Sequence, residues 1–290
     1  MDELMDELVS PRWLHAHLQD PRLRILDVRV REELGRGADG SEATVRVAAR
    51  DEYEAGHIPG AQFVALEELV HDDGVAARVV APQRVQELAW RVGIGPDSLV
   101  VVYDGAGGSA ATRVWWTLRL YGHRQVAVLD GGWQAWQAFG LPATTQPPPA
   151  YPPGTWRPER RAGWEIDLRG VFAALAARQA VLVDTREAAS FAAGHLPGAV
   201  NVPASQMRAA DGQGFRSLRE LEQLFAARGV PPDRGQRLVV YCRTGMSATV
   251  GAFHLRRLGY GQVEVYPGSW NEWRLVMGAA AGPGGRCHGV

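Results

Sequence analysis

The chain holds two cysteines, Cys242 and Cys287, and no lysine, so all 31 of its basic side chains are arginine. Cys242 closes a β-branched apolar run, Leu238-Val239-Val240-Tyr241, and a stretch with helical spacing, Ala248 to Leu258, starts six residues later. The connecting loop reads Cys242-Arg243-Thr244-Gly245-Met246-Ser247. A loop between a strand end and a helix start turns backbone N–H groups inward, and the helix dipole adds to them, so this segment reads as an anion site. Gly245 supplies the backbone freedom that a tight curl demands. Arg243 brings a fixed cation able to clamp an oxyanion in bidentate fashion, and Ser247 can donate a hydrogen bond to a sulfur anion. A thiol on that rim faces a field that favours the thiolate, which is the nucleophilic form. The chemistry implied is nucleophilic sulfur chemistry at Cys242, with Arg243, Thr244, Gly245, Met246 and Ser247 as the receptor for a substrate. The competing reading is a small buried hydrophobe.

Composition narrows the field. The absence of lysine excludes Schiff-base chemistry and a lysine-bearing phosphate loop. The balance of 31 basic against 32 acidic residues gives no electrostatic footprint for nucleic acid or an anionic membrane. Two cysteines build neither a disulfide framework nor a CxxC-type zinc site. Cys287 lies in a Gly-rich tail, where its neighbour His288 lacks further ligands, so no bridge and no metal are expected. The amino-terminal MDELMDEL is acidic and has no apolar core behind a positive flank, so it does not read as a secretory signal. No stretch reaches the roughly 20 apolar residues of a membrane span. A soluble cytoplasmic protein is expected.

The elements that must position Cys242 occur twice. Ile25-Leu26-Asp27-Val28-Arg29 returns as Leu182-Val183-Asp184-Thr185-Arg186, and Gly56-His57-Ile58-Pro59-Gly60-Ala61 as Gly194-His195-Leu196-Pro197-Gly198-Ala199. Leu99-Val100-Val101-Val102-Tyr103-Asp104 pairs with Leu238-Val239-Val240-Tyr241-Cys242, and Gly132-Trp133-Gln134-Ala135-Trp136 with Ser269-Trp270-Asn271-Glu272-Trp273. The first match is offset by 157 residues, the next two by 138 and the last by 137, which leaves about 19 extra residues within 30–56. A period this long means a duplicated domain rather than a repeat array. Residues 141–164 carry seven of the 18 prolines and should form an extended linker without helix or sheet. The expected domains are therefore 1–140 and 165–290. Each alternates strand and helix, with Ser217 and Glu220 forming a capping box ahead of one helix and Gly259 ending another. Such alternation predicts an α/β fold with a mainly parallel sheet flanked by helices, with its ligand beyond the carboxyl ends of the strands.

The duplication sharpens the reading of the loop. The position of Cys242 is held in the first half by Asp104, followed by Gly105-Ala106-Gly107-Gly108-Ser109. A carboxylate cannot do thiol chemistry, so the first half reads as scaffold.

With these motifs the chain resembles the two-domain rhodaneses, sulfurtransferases of the thiosulfate and 3-mercaptopyruvate group. The resemblance runs from about Val9 to Met277. It rests on Gly194-His195-Leu196-Pro197-Gly198-Ala199, the loop from Cys242, and Gly268-Ser269-Trp270-Asn271-Glu272-Trp273. It implies two tandem rhodanese-like domains, the first catalytically silent with Asp in place of Cys. It also implies ping-pong catalysis, in which a Cys242 persulfide carries sulfane sulfur to cyanide or a thiol without a cofactor. Thiosulfate enzymes of the group resemble Cys-Arg-Lys-Gly-Val-Thr at the loop and mercaptopyruvate enzymes Cys-Gly-Ser-Gly-Val-Thr. Arg243 and Gly245 fit the first pattern, whereas Thr244 and Met246 depart from it. The stretch Glu187-Ala188-Ala189-Ser190-Phe191 lacks an additional substrate-binding arginine seen in long-form members. Thiosulfate is favoured as donor, with 3-mercaptopyruvate as the alternative.

Two further readings are weighed. Phosphatases of this fold need an arginine at the sixth position after the cysteine, which here is Ala248, so phosphatase activity is not expected. A non-catalytic sulfur-sensing module remains an alternative, against which the retained Cys242 and Arg243 argue. His57 and His195 recur in both halves and read as structural, as do Asp27 with Arg29 and Asp184 with Arg186. The four tryptophans of the last match read as packing, although Trp270 could close the pocket. Arg113 is expected either to face the cleft or to form a surface ion pair. The partners expected are a small-molecule donor and acceptor, and a monomer is favoured.

Overall fold

The computed structural model describes residues 6–36 and 42–280, so Cys287 and His288 lie outside the described residues. The chain forms two compact units. The first comprises Met1–Gly74, Val79–Arg161 and Arg208–Arg216, and the second Val75–Arg78, Ala162–Met207 and Ser217–Val290.

In the first unit the β-branched runs form a five-stranded sheet in the spatial order Leu8–Val9, Val126–Leu129, Leu99–Tyr103, Leu23–Asp27, Ala61–Phe63. Every pairing in it is parallel. Such a sheet is covered on both faces, which is why Leu99–Tyr103 is buried at each of its positions. One core cluster gathers Leu14, Ile25, Ile58, Val101, Ala127 and Trp136. At about 1.5–3 kcal/mol for each fully buried large apolar side chain, this cluster is a principal source of the unit's stability. The helix Ser109–Leu120 leaves the loop after Asp104 and is buried almost throughout, including Trp115 and Trp116. The extra residues of the first half include an antiparallel hairpin, Val30–Arg36 with Glu42–Ala48.

Residues 141–161 contain no helix or strand and pack on this first unit. Prolines lack a donor, so the segment is held by its other residues: Gly154 N donates to Trp90 O at 3.0 Å, and Arg24 stacks 4.0 Å from the Tyr151 ring centroid. A Cβ on Gly154 would strike the carbonyls of Ala89 and Ile94, so only glycine permits this approach.

The second unit has a four-stranded parallel sheet in the order Val200–Asn201, Val181–Asp184, Arg237–Tyr241, Gln262–Val265. Its core cluster includes Ile166, Leu182, Val239, Tyr241, Tyr266 and Trp273. The capping box forms as the sequence predicts: Glu220 N donates to Ser217 Oγ at 3.3 Å, and Ser217 N to Glu220 Oε2 at 3.0 Å, opening the helix Leu218–Ala227. The helix Ala248–Arg257 follows the cysteine loop and ends before Gly259, whose φ is +90°. Among the described residues no helix is long and apolar enough to cross a membrane.

Candidate active site

The strand Arg237–Tyr241 delivers Cys242 to the carboxyl end of the sheet, where its side chain is buried at 2% exposure. The loop then curls back on the sulfur, and Gly245 N donates to Cys242 Sγ at 3.1 Å. Gly245 has φ +93°, and a Cβ there would lie 2.6 Å from Pro267 O, so both conformation and space require glycine. The amides of Arg243, Thr244, Met246 and Ser247 have no acceptor among the described residues. Arg243 is exposed, Thr244 and Ser247 are half-buried, and Met246 is buried. Ser247 Oγ lies 3.5 Å from Thr185 Oγ1, and Thr185 in turn donates to Tyr241 O.

A turn after the strand Gln262–Val265 backs the loop. Ser269, fully buried, accepts the Cys242 N–H on its hydroxyl at 3.1 Å and donates to Tyr266 O at 2.9 Å. It does so at φ +53°, a left-handed conformation that is costly for a residue with a Cβ. Trp270 N donates to Cys242 O at 3.0 Å and Asn271 N to Arg243 O at 3.1 Å. The Trp270 ring lies 4.7 Å from the Arg186 guanidinium and against Gly194, so it packs there. On the opposite side, the short segment Val75–Arg78 of this unit reaches the loop, and Ala77 N donates to Thr244 O at 2.7 Å.

Beneath the loop Arg186 and Asp184 form a buried pair in which the guanidinium spans both carboxylate oxygens at 2.6–3.0 Å. Arg186 also donates to Gly194 O, and Leu196 N donates to the Tyr241 hydroxyl, which ties the Gly-His-Leu-Pro-Gly turn to the strand end. Burial, aided by the Asp184 carboxylate, pushes the Tyr241 phenol well up.

The first unit repeats this frame with a different occupant. Arg29 spans Asp27 and donates to Gly56 O, and its guanidinium lies 4.8 Å from the Trp133 ring centroid. Trp133 N donates to Asp104 O at 2.8 Å, matching Trp270 and Cys242. Here, however, the Asp104 carboxylate turns into the loop and accepts the amides of Gly108, Ala110 and Ala111 at 3.0–3.2 Å. Burial raises its pKa, against the lowering effect of those three amides. The loop geometry thus receives an oxyanion, and the first unit supplies that anion from its own chain.

Other expected residues fall into place around this frame. His57 Nδ1 and Nε2 lie 2.8 and 3.0 Å from Tyr53 O and Gln146 O, and the ring stacks on Tyr53. His195 repeats the Nδ1 contact and the ring stacking with Phe191, but at the surface. Arg113 is not the surface side chain of an exposed ion pair: it is fully buried, 4.8 Å from the Trp116 ring centroid. Its helix is covered on nearly all sides, which a cationic residue in the sequence does not reveal. Sequence reasoning missed Ser269 and the Val75–Arg78 segment. The first had a signal in the contrast of Gly131-Gly132-Trp133 with Gly268-Ser269-Trp270. The second had none, because its partner Thr244 is 167 residues away. Among the described residues no group of three His, Cys, Asp or Glu side chains could hold a metal ion.

Comparison with known proteins agrees with this geometry. The rhodanese-like domain family matches residues 10–139 and 171–275. The sulfur carrier protein TtuD of Thermus thermophilus is 30% identical, over 96% of each chain. The thiosulfate sulfurtransferase of Rattus norvegicus is 32% identical, over 92% of this chain and 91% of the relative. The crystal structure of SseA from Escherichia coli, described as a 3-mercaptopyruvate sulfotransferase, superposes with a TM-score of 0.78 at 28% identity, covering 92% and 99% of the two chains. The chain therefore belongs to the rhodanese family and carries two tandem rhodanese-like domains, related along its length to the thiosulfate and 3-mercaptopyruvate sulfurtransferases.

Proposed function

We propose that the chain is a sulfurtransferase that works through Cys242, with thiosulfate as the donor. The observation that carries the reading is the pair of matched loops: one gathers three amides on its own Asp104 carboxylate, and the other leaves four amides open around a cysteine. An anion that occupies the second loop must come from a bound substrate or from sulfur attached to Cys242.

In the first half-reaction the Cys242 thiolate attacks the sulfane sulfur of thiosulfate. A new S–S bond forms, the old one breaks with its electron pair leaving on sulfite, and a persulfide remains. In the second, cyanide or a thiol attacks the outer sulfur, and Cys242 is released as thiolate. The loop amides stabilise the terminal persulfide anion, with Gly245 N already directed at the sulfur. Arg243, exposed beside the loop, binds the sulfonate oxygens, and Thr244, Met246 and Ser247 line the entry.

3-Mercaptopyruvate is the second reading, favoured by Thr244, which leaves the loop with a single cation for a dianionic donor. Side-by-side steady-state rates with the two donors separate these readings. Mass spectrometry of the donor-treated protein tests the reaction class itself. One added sulfur atom on the Cys242 peptide is expected, and it should be absent from Cys242→Ser. Donor-treated wild-type protein with no added sulfur would overturn persulfide transfer and leave a non-catalytic sulfur-sensing module as the reading.

A further inference from the structure

The turn that backs the cysteine loop and the segment that flanks it are joined by one carboxylate. Glu272 Oε1 accepts from the Arg78 guanidinium at 2.8 Å, and Glu272 Oε2 accepts from the Tyr266 hydroxyl at 2.6 Å. Its own amide donates to Gly268 O at 3.1 Å, and the carboxylate lies so close under Gly268 that a Cβ there would collide with Oε2. Burial, with Glu272 alongside, pushes the Tyr266 phenol up, so the phenol keeps its proton and stays a donor.

Each of the two elements that Glu272 joins touches the loop at a different point. The turn holds Cys242 through Ser269 Oγ and the Trp270 amide. The flanking segment holds Thr244 through Ala77 N and is also fixed by Asn271 Nδ2, which donates to Val75 O at 3.1 Å. The first unit joins the corresponding turn and segment differently, with Asp130 Oδ1 accepting from Phe215 N at 2.9 Å. At the repeat offsets Tyr266 and Glu272 correspond to Leu129 and Ala135, and Arg216, which matches Arg78, donates instead to Arg208 O. Among the described residues the Arg-Glu-Tyr bridge is therefore particular to the repeat that carries the cysteine.

We infer that Glu272 is a positioning residue of the cysteine loop, acting through Arg78 and Tyr266 to hold the open amides in register for the anionic donor. This inference rests on the sulfurtransferase reading above. Without the bridge the segment keeps its tie to Asn271 but loses the ion pair at Arg78, the amides around Cys242 lose part of their fixed spacing, and binding of the donor suffers before off-loading of the persulfide does.

The test is a cycle of Arg78→Ala, Glu272→Ala and the double variant, read as KM and kcat with thiosulfate, together with thermal unfolding midpoints. Each single variant should raise the KM about tenfold with kcat within about twofold, and the double variant should be no worse than either single. Tyr266→Phe should raise the KM by a smaller factor, and Arg78→Lys should restore much of the wild-type value by keeping the charge. An unchanged KM in both single variants overturns the inference, as does full additivity of the two. Should Glu272→Ala fail to fold, Glu272→Gln, which keeps an acceptor for Tyr266 but loses the ion pair, must reproduce the Arg78→Ala effect. The wild-type persulfide mass is measured in the same series. Its absence would sink the sulfurtransferase reading, whereas its presence with unaltered KM values would sink only this one.

Discussion

At the scale of single residues, the two loops make a controlled comparison inside one chain. Arg243 stands exposed beside a cysteine whose loop amides are open, and its charge has no matching residue after Asp104. Arg243→Ala should therefore raise the KM for thiosulfate about tenfold, a loss near 1.4 kcal/mol of binding, and leave the rate of sulfur removal from loaded protein unchanged. Steady-state and single-turnover rates on the two half-reactions check this; equal effects on both would mean that Arg243 does not act as a donor clamp. Asp104 gives the complementary case. Asp104→Ala removes the acceptor of three buried amides and should cost about 1–3 kcal/mol of stability. Specific activity per folded molecule should stay within a factor of two. A denaturant titration beside an assay of the same preparation separates the two effects, and a collapse of activity without loss of stability would show that the first unit takes part in turnover.

At the scale of elements, both loops stand on the same footing: a buried Arg-Asp pair that joins a strand end to the Gly-His-x-Pro-Gly turn. Removing one partner strands a buried charge, so Arg186→Met and Arg29→Met should each destabilise by about 3–5 kcal/mol. Only Arg186→Met should also depress the turnover of molecules that remain folded, because Arg186 holds Trp270, whose amide holds Cys242. Unfolding curves for the pair, with activity normalised to folded fraction, give the answer; equal activity losses would contradict the division of labour. These pairs were legible in the sequence because Asp-x-Arg recurs at a fixed offset, and the strands were legible because buried parallel strands read as unbroken β-branched runs. The antiparallel strands Val30–Arg36 and Glu42–Ala48 were legible only as surplus length, since they carry charges such as Arg31, Glu32 and Glu33 in place of a clean alternation. Ser269 was hidden by its rarity as a left-handed serine, and the Val75–Arg78 segment by the long separation between its residues and the loop they reach.

At the scale of the whole molecule, the proposed function has one copy keep the chemistry and the other the frame, and each copy must secure its own core. In the first unit that core contains His123, packed edge-on to Trp156 with Nε2 3.0 Å from Ser98 O. Burial pushes its pKa down to about 4. In the unfolded chain the same imidazole takes up a proton near pH 6.5, so between about pH 6.5 and 4 the unfolded state binds more protons than the folded one. Stability must therefore fall as the pH falls through that window, by up to about 3 kcal/mol if the whole difference is realised. Asp104 works in the opposite sense: its carboxyl is raised by burial, so acidification relieves a cost that is present at neutral pH. Asp20, lowered by its half-buried partner Arg22, contributes little because solvent screens the pair. The contribution of His123 is isolated by comparing the wild type with His123→Gln, which can still donate to Ser98 O. Urea unfolding at half-unit steps from pH 7.5 to 4 should show the wild type losing about 2–3 kcal/mol more than the variant, most of it between pH 6.5 and 4. Parallel curves across that range would mean that His123 binds its proton equally in the folded and unfolded chain, and that the acid sensitivity of the molecule arises elsewhere.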